Sequence, residues 1–272
     1  MGLTPLPTAD RWFVRYLRGR GHPSKLRIAG WLCNHVFKRV VADTESGRMV
    51  LDSSDLIQRA LLFYGHFEPA TVRLHRRLLR PGDTYVDVGA NVGSFSLAAS
   101  LAVGDKGKVV AIEPNPVIYA RLIENQLLNP FSTNILNFNC AVSDQQGIAH
   151  LQLPPKGNSG QAKLSQTRRE DTVEVRAERL PVLLAKARVA DIRLLKIDIE
   201  GHEIPVLRDL FGAGIRPAHL ILEFLPDDFP AHAAMPELLA QNGYVLQSVT
   251  GARFVGGALE ENNVWARLIG TQ

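Results

Sequence analysis

The chain has 272 residues, 46% hydrophobic and 21% charged, with a formal net charge of +4 and a sequence pI near 9.2. This is ordinary globular usage, long enough for one domain plus an extension and rich enough for a large buried core. The two cysteines, Cys33 and Cys140, match no metal-ligand spacing and argue against a disulfide framework. With no apolar stretch of secretory-signal or membrane-spanning length, a soluble cytoplasmic chain is expected, at most peripheral to a membrane.

Residues 1–40 carry eight Lys and Arg (Arg11, Arg15, Arg18, Arg20, Lys25, Arg27, Lys38, Arg39) against one acid, Asp10. Trp12, Phe13, Tyr16, Trp31 and Phe37 are interleaved with them. Two short helices are expected, broken around Gly19 to Pro23. The segment reads either as packing on the main domain with its basic side chains solvated, as a peripheral membrane or partner contact, or as a nucleic-acid contact. A boundary is set at residues 47 and 48. The extension is read as separable from the cofactor site, so that losing residues 1–40 would leave cofactor binding largely intact.

A short strand is expected at Arg48–Leu51, and residues 55–79 read as mostly helical up to Pro81-Gly82. From Thr84 the pattern alternates. Strands are expected at Tyr85–Val88, Lys108–Ile112, Ile135–Val142, Leu194–Ile199 and His219–Phe224, with closing strands at Tyr244–Val249 and Asn263–Leu268. Helices are expected at Ser94–Val103, Val117–Leu128, about 203–211 and Ala231–Asn242. This order argues for an α/β, doubly wound, largely parallel sheet with helices on both faces. Residues 154–172 are polar and read as a long loop, either functional or a plain insertion.

The strongest motif is Val86-Asp87-Val88-Gly89-Ala90-Asn91-Val92-Gly93, an apolar strand running into a glycine turn and a helix. Such a turn points backbone N–H groups into the crevice at the carboxyl end of the strand, where ligands of open sheets bind. The second strand ends in Glu113-Pro114-Asn115, and Glu113 lies 20 residues after Gly93. An acid there can accept both ribose hydroxyls of an adenosine. The turn lacks the third glycine of a dinucleotide fingerprint. Asp87 would repel a pyrophosphate and attract an amino group or a sulfonium. The acid therefore favours S-adenosylmethionine over NAD.

A second constellation is Leu195-Lys196-Ile197-Asp198-Ile199-Glu200-Gly201-His202-Glu203. Its strand end faces the same crevice, and Asp198 and Glu200 share one side by two-residue periodicity. Methyl transfer to a hydroxyl needs in-line approach and a base. Asp198, Glu200 and His202 are the candidates, although His202 also reads as a plain helix-entry residue. Glu203 suits the helix N-terminus through the dipole. Glu223, ending the next strand, is a candidate acceptor contact. Asp198, Glu200, His202 and Glu223 form a conceivable metal-ligand set, but a divalent metal is not expected.

Together these runs resemble the Class I S-adenosylmethionine-dependent methyltransferases. Lys196 to Glu203 is similar to the hallmark of the FkbM-type family, as are Tyr64 to Glu68, Pro81 to Asp83 and Ala141 to Asp144 in their order. The resemblance covers about residues 48–268. It implies a Rossmann-like seven-stranded sheet with an antiparallel last strand, and O-methylation of hydroxyls on sugars or polyketide-like natural products. It also implies that Asp87, Gly89, Ala90, Asn91 and Gly93 surround the methionine and ribose. Glu113 would hold the ribose, with Pro114 and Asn115 nearby. Ala141 and Val142 would flank the adenine, Glu68 would close the site, and Asp198 would lie between cofactor and acceptor. His202 departs from the small residue of many relatives.

The expected partner is a small-molecule or glycan acceptor. Rival readings are an NAD-linked oxidoreductase, a nucleic-acid methyltransferase and a cofactor-binding scaffold without catalysis. Nucleic acid is disfavoured because no run for base amines is present and the basic residues cluster outside the expected catalytic sheet.

Overall fold

The computed structural model describes residues 7–19, 24–154, 158–165, 168–169, 171–252, 254 and 261–271. Helices α1 (Thr8–Arg18) and α2 (Lys25–His35) lead into a hairpin of β1 (Arg39–Thr44) and β2 (Gly47–Asp52). Two helices follow, α3 (Leu56–Tyr64) and α4 (Pro69–Leu78). The alternating region runs β3 (Thr84–Val88), α5 (Ser94–Val103), β4 (Lys108–Ile112), α6 (Pro116–Leu127) and β5 (Ile135–Phe138). Next come β6 (Ala141–Ser143), β7 (Gly147–Gln152), β8 (Lys163–Ser165), β9 (Thr172–Arg179) and α7 (Leu180–Lys186). Then follow β10 (Leu194–Ile197), α8 (Glu203–Gly212), β11 (His219–Glu223), α9 (Met235–Gln241), β12 (Tyr244–Ser248) and β13 (Asn263–Leu268).

The main sheet has seven strands in the order β12-β13-β11-β10-β3-β4-β5. β3, β4, β5, β10 and β11 are parallel to their neighbours in this set, and β13 is antiparallel to both β11 and β12. This is the doubly wound sheet with one antiparallel last strand that the resemblance implies. Chain order reverses between β3 and β10, so the crevice at their carboxyl ends is where a ligand fits.

Strand alternation builds two apolar layers. Tyr85, Val109, Ala111, Leu194 and Ile221 face one layer, together with residues of α4, α5 and α6. Val86, Val88, Val110, Leu195, Ile197 and Leu222 face the other, together with residues of α7, α8 and α9.

The N-terminal residues join the first layer. Phe13, Val14, Leu17, Ala29, Cys33 and Val40 are buried in the same cluster as Tyr85 and Leu97. The Arg18 guanidinium donates to the carbonyls of Leu62 (3.1 Å), Leu61 (3.0 Å) and Asp43 (2.8 Å), which fastens α1 to the end of α3. Asp10 accepts from the Val41 N–H at 2.8 Å. Of the readings offered for the segment, packing on the main domain is the one that these contacts support. The expected boundary at residues 47 and 48 falls at the start of β2, inside a paired hairpin. The basic side chains do lie outward in part, and Trp12 and Trp31 remain 56% and 57% exposed. Among the described residues no helix is long and apolar enough to cross a membrane.

Two further expectations change. Ile135–Val142 is two strands in different sheets, because Asn139 turns its amide onto the carbonyls of Glu113 (2.8 Å) and Pro114 (3.2 Å) and breaks the run. The polar stretch 154–172 is not loop throughout. Its described parts include β8 and the start of β9, which join β6 and β7 in a four-stranded sheet ordered β6-β9-β7-β8. Residues 155–157, 166–167 and 170 of that stretch lie outside the described residues, as do 20–23 at the expected helix break.

Phe13 is fully buried and stacks on Phe37 with ring centroids 4.1 Å apart. Phe13→Ala is expected to destabilise the whole chain by about 3–5 kcal/mol, read as a lowered urea midpoint with an unchanged slope. An unchanged midpoint would show that the N-terminal helices fold apart from the core.

Candidate active site

Two-residue alternation places Leu194 and Lys196 on the face of β10 that meets α5, and the parallel register sets Lys196 directly beside Asp87 of β3. Lys196 is 1% exposed. Its ammonium donates to Asp198 Oδ2 at 2.7 Å and lies 4.9 Å from the centre of the Phe95 ring. Burial alone would weaken its hold on the proton, but Asp198, Glu68 and Asp87 together raise its pKa above the usual lysine range. Asp87 is fully buried, accepts from Ser96 Oγ at 2.5 Å, and keeps Oδ1 without a partner. Burial raises its pKa, and Lys196 opposes the rise.

The glycine turn wraps over this pair. Gly89 has φ +86°, and a Cβ there would lie 1.9 Å from the Asp198 carbonyl oxygen. Glycine is thus required by a close pass of the β10 turn over the β3 turn, more than by any ligand. Glu113, at the end of β4, accepts from the Asn91 N–H (2.9 Å) and the Asn115 N–H (2.8 Å). Burial pushes its carboxyl up to about 7 despite these two donors, and Asp87 and Asp198 add to the rise. Asn115 caps α6 by accepting from the Val117 N–H at 3.0 Å, with Pro116 at the first helical position.

The roof comes from both ends of the chain. Glu68 precedes α4 in a left-handed conformation (φ 46°) and accepts from Asn263 Nδ2 at 2.8 Å. Burial pushes Glu68 up to about 7, with Lys196 pulling the other way. Glu261, in the connection before β13, caps α4 by accepting from the N–H groups of Ala70 (2.7 Å) and Thr71 (2.8 Å).

β10 ends two residues earlier than expected, so Asp198 and Glu200 lie in the turn, and Glu200 is left-handed with φ 56°. Ligand-capable oxygens of Asp198, Glu200 and Glu223 all lie within 4.8 Å of one another. Burial, with Asp198 adjacent, pushes Glu200 up to about 7 and holds Glu223 well above the carboxylate range. The turn is held from behind by a buried pair. Glu203 accepts from the Ile199 N–H (2.9 Å) and from His232 Nε2 (2.7 Å), while His232 Nδ1 accepts from the Leu225 N–H (3.0 Å).

These groups enclose a cavity of about 650 Å³. Of the expected site residues, Glu68, Gly89, Ala90, Asn91, Glu113, Pro114, Ala141, Val142, Asp198, Glu200 and Glu223 line it. Asp87, Gly93, Asn115 and His202 do not. Asp87 lies beneath the floor, Gly93 packs on Leu122, and Asn115 is used as a helix cap. His202 precedes α8 and turns to Ser143 Oγ at 3.1 Å, away from the acidic cluster. Sequence reading passed over Lys196, although a lysine inside an apolar strand must find partners. It also passed over Leu151 to Leu153, which with Pro154, Asn158 and Gly160 to Leu164 of the stretch read as functional or a plain insertion close the cavity against Leu56 and Ile57.

A doubly wound sheet whose crevice is lined by carboxylates, with one strand antiparallel beside the edge, is the architecture expected of Class I S-adenosylmethionine-dependent methyltransferases. Residues 87–246 match the model of the Methyltransferase FkbM domain. The match takes in more than half of the chain, and the chain belongs to the FkbM family of S-adenosylmethionine-dependent methyltransferases. Over 213 residues it is 28% identical to the 31-O-demethyl-FK506 methyltransferase FkbM of Streptomyces tacrolimicus, covering 67% of this chain and 80% of that one. Over 146 residues it is 28% identical to the hexuronic acid methyltransferase AglP of Haloferax volcanii, covering 54% of this chain and little more than half (57%) of that one. A solved FkbM methyltransferase from Methylobacillus flagellatus superposes with a TM-score of 0.43 at 13% identity, covering 90% of this chain and 59% of that chain.

Lys196→Met is expected to destabilise the ligand-free protein by about 3–5 kcal/mol, because it leaves buried carboxylates unopposed. Chemical denaturation checks this. A stability equal to wild type would mean that those carboxylates are already neutral.

Proposed function

We propose that the protein transfers the methyl group of S-adenosylmethionine to a hydroxyl of a sugar, a glycan or glycolipid, or a natural product. The observation that carries this reading is the position of Asp198, the acid common to two groups of carboxylates in one cavity. Asp198 acts electrostatically on Glu113 at one end and shares the cluster with Glu200 and Glu223 at the other. The donor set fits the cofactor. Six acids line the cavity (Glu68, Glu113, Asp198, Glu200, Glu223, Asp228) against two lysines, Lys163 and Lys196. Such a lining favours a positively charged nucleoside and repels pyrophosphate or a polyanion. The cofactor supplies an electrophilic methyl group on a sulfonium.

In this reading Glu113 accepts the ribose hydroxyls on lone pairs left free by the Asn91 and Asn115 N–H groups. Gly89, Ala90 and Asn91 form the floor, Ala141 and Val142 the adenine side, and Glu68 the closing edge. Asp87 acts from below through Lys196, without touching the ligand. Asp198 and Glu200 orient the acceptor hydroxyl and take its proton, and Glu223 contacts the acceptor. His202 holds the turn to β6. The walls from β7 and 158–164 exclude water. A volume of about 650 Å³ suits a small ligand or the end of a glycan. The names of two relatives, a 31-O-demethyl-FK506 methyltransferase and a hexuronic acid methyltransferase, support hydroxyl-bearing acceptors of this kind.

Titration calorimetry with S-adenosylmethionine, S-adenosylhomocysteine and NAD tests the cofactor. Binding of the two adenosyl ligands and not of NAD is expected, and binding of NAD alone would sink the reading. Mass spectrometry of uronic acids and lipid-linked glycans incubated with the enzyme then tests the acceptor class. Asp198→Ala is expected to lower turnover by about 100-fold or more. Normal turnover would remove Asp198 from the mechanism.

The free-state pKa of Glu113, about 7, gives a pH dependence with a fixed sign. Ribose hydroxyls donate to the ionised carboxylate, so the ligand stabilises the charged form and expels a proton on binding. Cofactor affinity is expected to rise between pH 6 and 8, with proton release at pH 7 seen as buffer-dependent binding enthalpy. A flat profile would separate Glu113 from the ligand.

A further inference from the structure

We propose that Asp198, Glu200 and Glu223 bind one divalent cation of the hard, oxygen-preferring kind, such as Mg²⁺ or Mn²⁺, at the acceptor end of the cavity. The role of such an ion rests on the methyl-transfer reading above, whereas its binding does not. Three carboxylates from two strand ends bring oxygens within 4.8 Å of one another. Oxygens bound to one ion at 2.0–2.6 Å lie at most about 4–5 Å apart, so the three need little movement to share one.

A second observation points to a missing partner. Glu223 is nine-tenths buried, lines the cavity, and its Oε2 has no hydrogen-bond partner. A desolvated carboxylate oxygen without a donor is costly, and a cation shared with the neighbouring Asp198 and Glu200 is one of the few groups that answer it. The two lysines of the lining do not. Lys196 donates to Oδ2 of Asp198, and neither lysine is a hydrogen-bond partner of Glu223 Oε2. His202, the nitrogen donor of the conceivable set, points to Ser143, so the donors are oxygen only. That set selects Mg²⁺, Mn²⁺ or Ca²⁺ over Zn²⁺. The site would leave positions for water and for the acceptor hydroxyl, whose oxygen it would help to orient.

The test is Mn²⁺ binding to the full chain, read by loss of the free-ion electron paramagnetic resonance signal, with and without S-adenosylhomocysteine. One saturable site is expected. Glu223→Gln and Glu200→Gln should each weaken it about tenfold or more, while S-adenosylhomocysteine affinity, measured on the same samples, stays close to wild type. If one variant fails to fold by circular dichroism, the other decides. Absence of saturable Mn²⁺ binding by wild type in both conditions, or equal binding by the folded variants, overturns the proposal. Loss of S-adenosylhomocysteine binding by wild type would instead overturn the cofactor reading and leave the Mn²⁺ result to stand by itself.

Discussion

One buried ammonium organises the site. Lys196 sits in the middle of the sheet, at the switch point between β3 and β10, with Asp87 beside it and Asp198 and Glu68 above it. A charge so deep is tolerable only when its neighbours are fixed. Ser96 fixes Asp87, Asn263 fixes Glu68, and the Phe95 ring covers the ammonium. Strand alternation puts Lys196 on this face, and the turn after β10 brings Asp198 to the cavity. The platform on which a ligand would rest is therefore electrostatic as well as geometric. Its charge is set by elements from four parts of the chain: α4, β3 with α5, β10, and β13.

Most of the central sheet was legible because its strands are continuous apolar runs ending in glycine turns or acids. Val86 to Gly93 and Leu195 to Glu203 carried strand, turn and helix start within a few residues, so local rules sufficed. The second sheet was not legible in the same way. β9 does alternate, Val173, Val175 and Ala177 against Glu174 and Arg176, and was passed over, whereas β7 exposes Ile148 and half-buries Ala149 and His150, and β8 has three residues. The pairing of β7 and β8 is decided by a tertiary partner rather than by periodicity. The break at Asn139 was hidden because an asparagine in an apolar run signals a turn only once Glu113 and Pro114 offer their carbonyls.

The site itself divides the same way. Residues tied to strand ends were found, including Glu113, Asp198 and Glu223. Residues whose role depends on side-chain direction were not. His202 stands next to the cluster in sequence, yet as the residue before α8 it points at Ser143. Asp87, read as facing the ligand, lies off the cavity lining and beside a lysine one strand away. Both follow from register and helix-entry geometry, which spacing along one chain cannot supply. The basic N-terminal segment left several readings open in sequence, because its charge and its apolar residues pull in different directions; Phe13, Val14 and Leu17, buried on one side of α1, favour packing on the main domain.

The clasp over the cavity has a consequence for how the protein is made. Glu261 caps α4 from 191 positions away in sequence, and Asn263 reaches Glu68 across 195. On the ribosome, the glycine turn and the first strands emerge long before these partners do. Until the final strand is released, α4 starts without its cap and Glu68 without its amide. The crevice is therefore completed only once β13 has emerged, and a nascent chain stalled short of β13 would hold most of the sheet but no finished pocket.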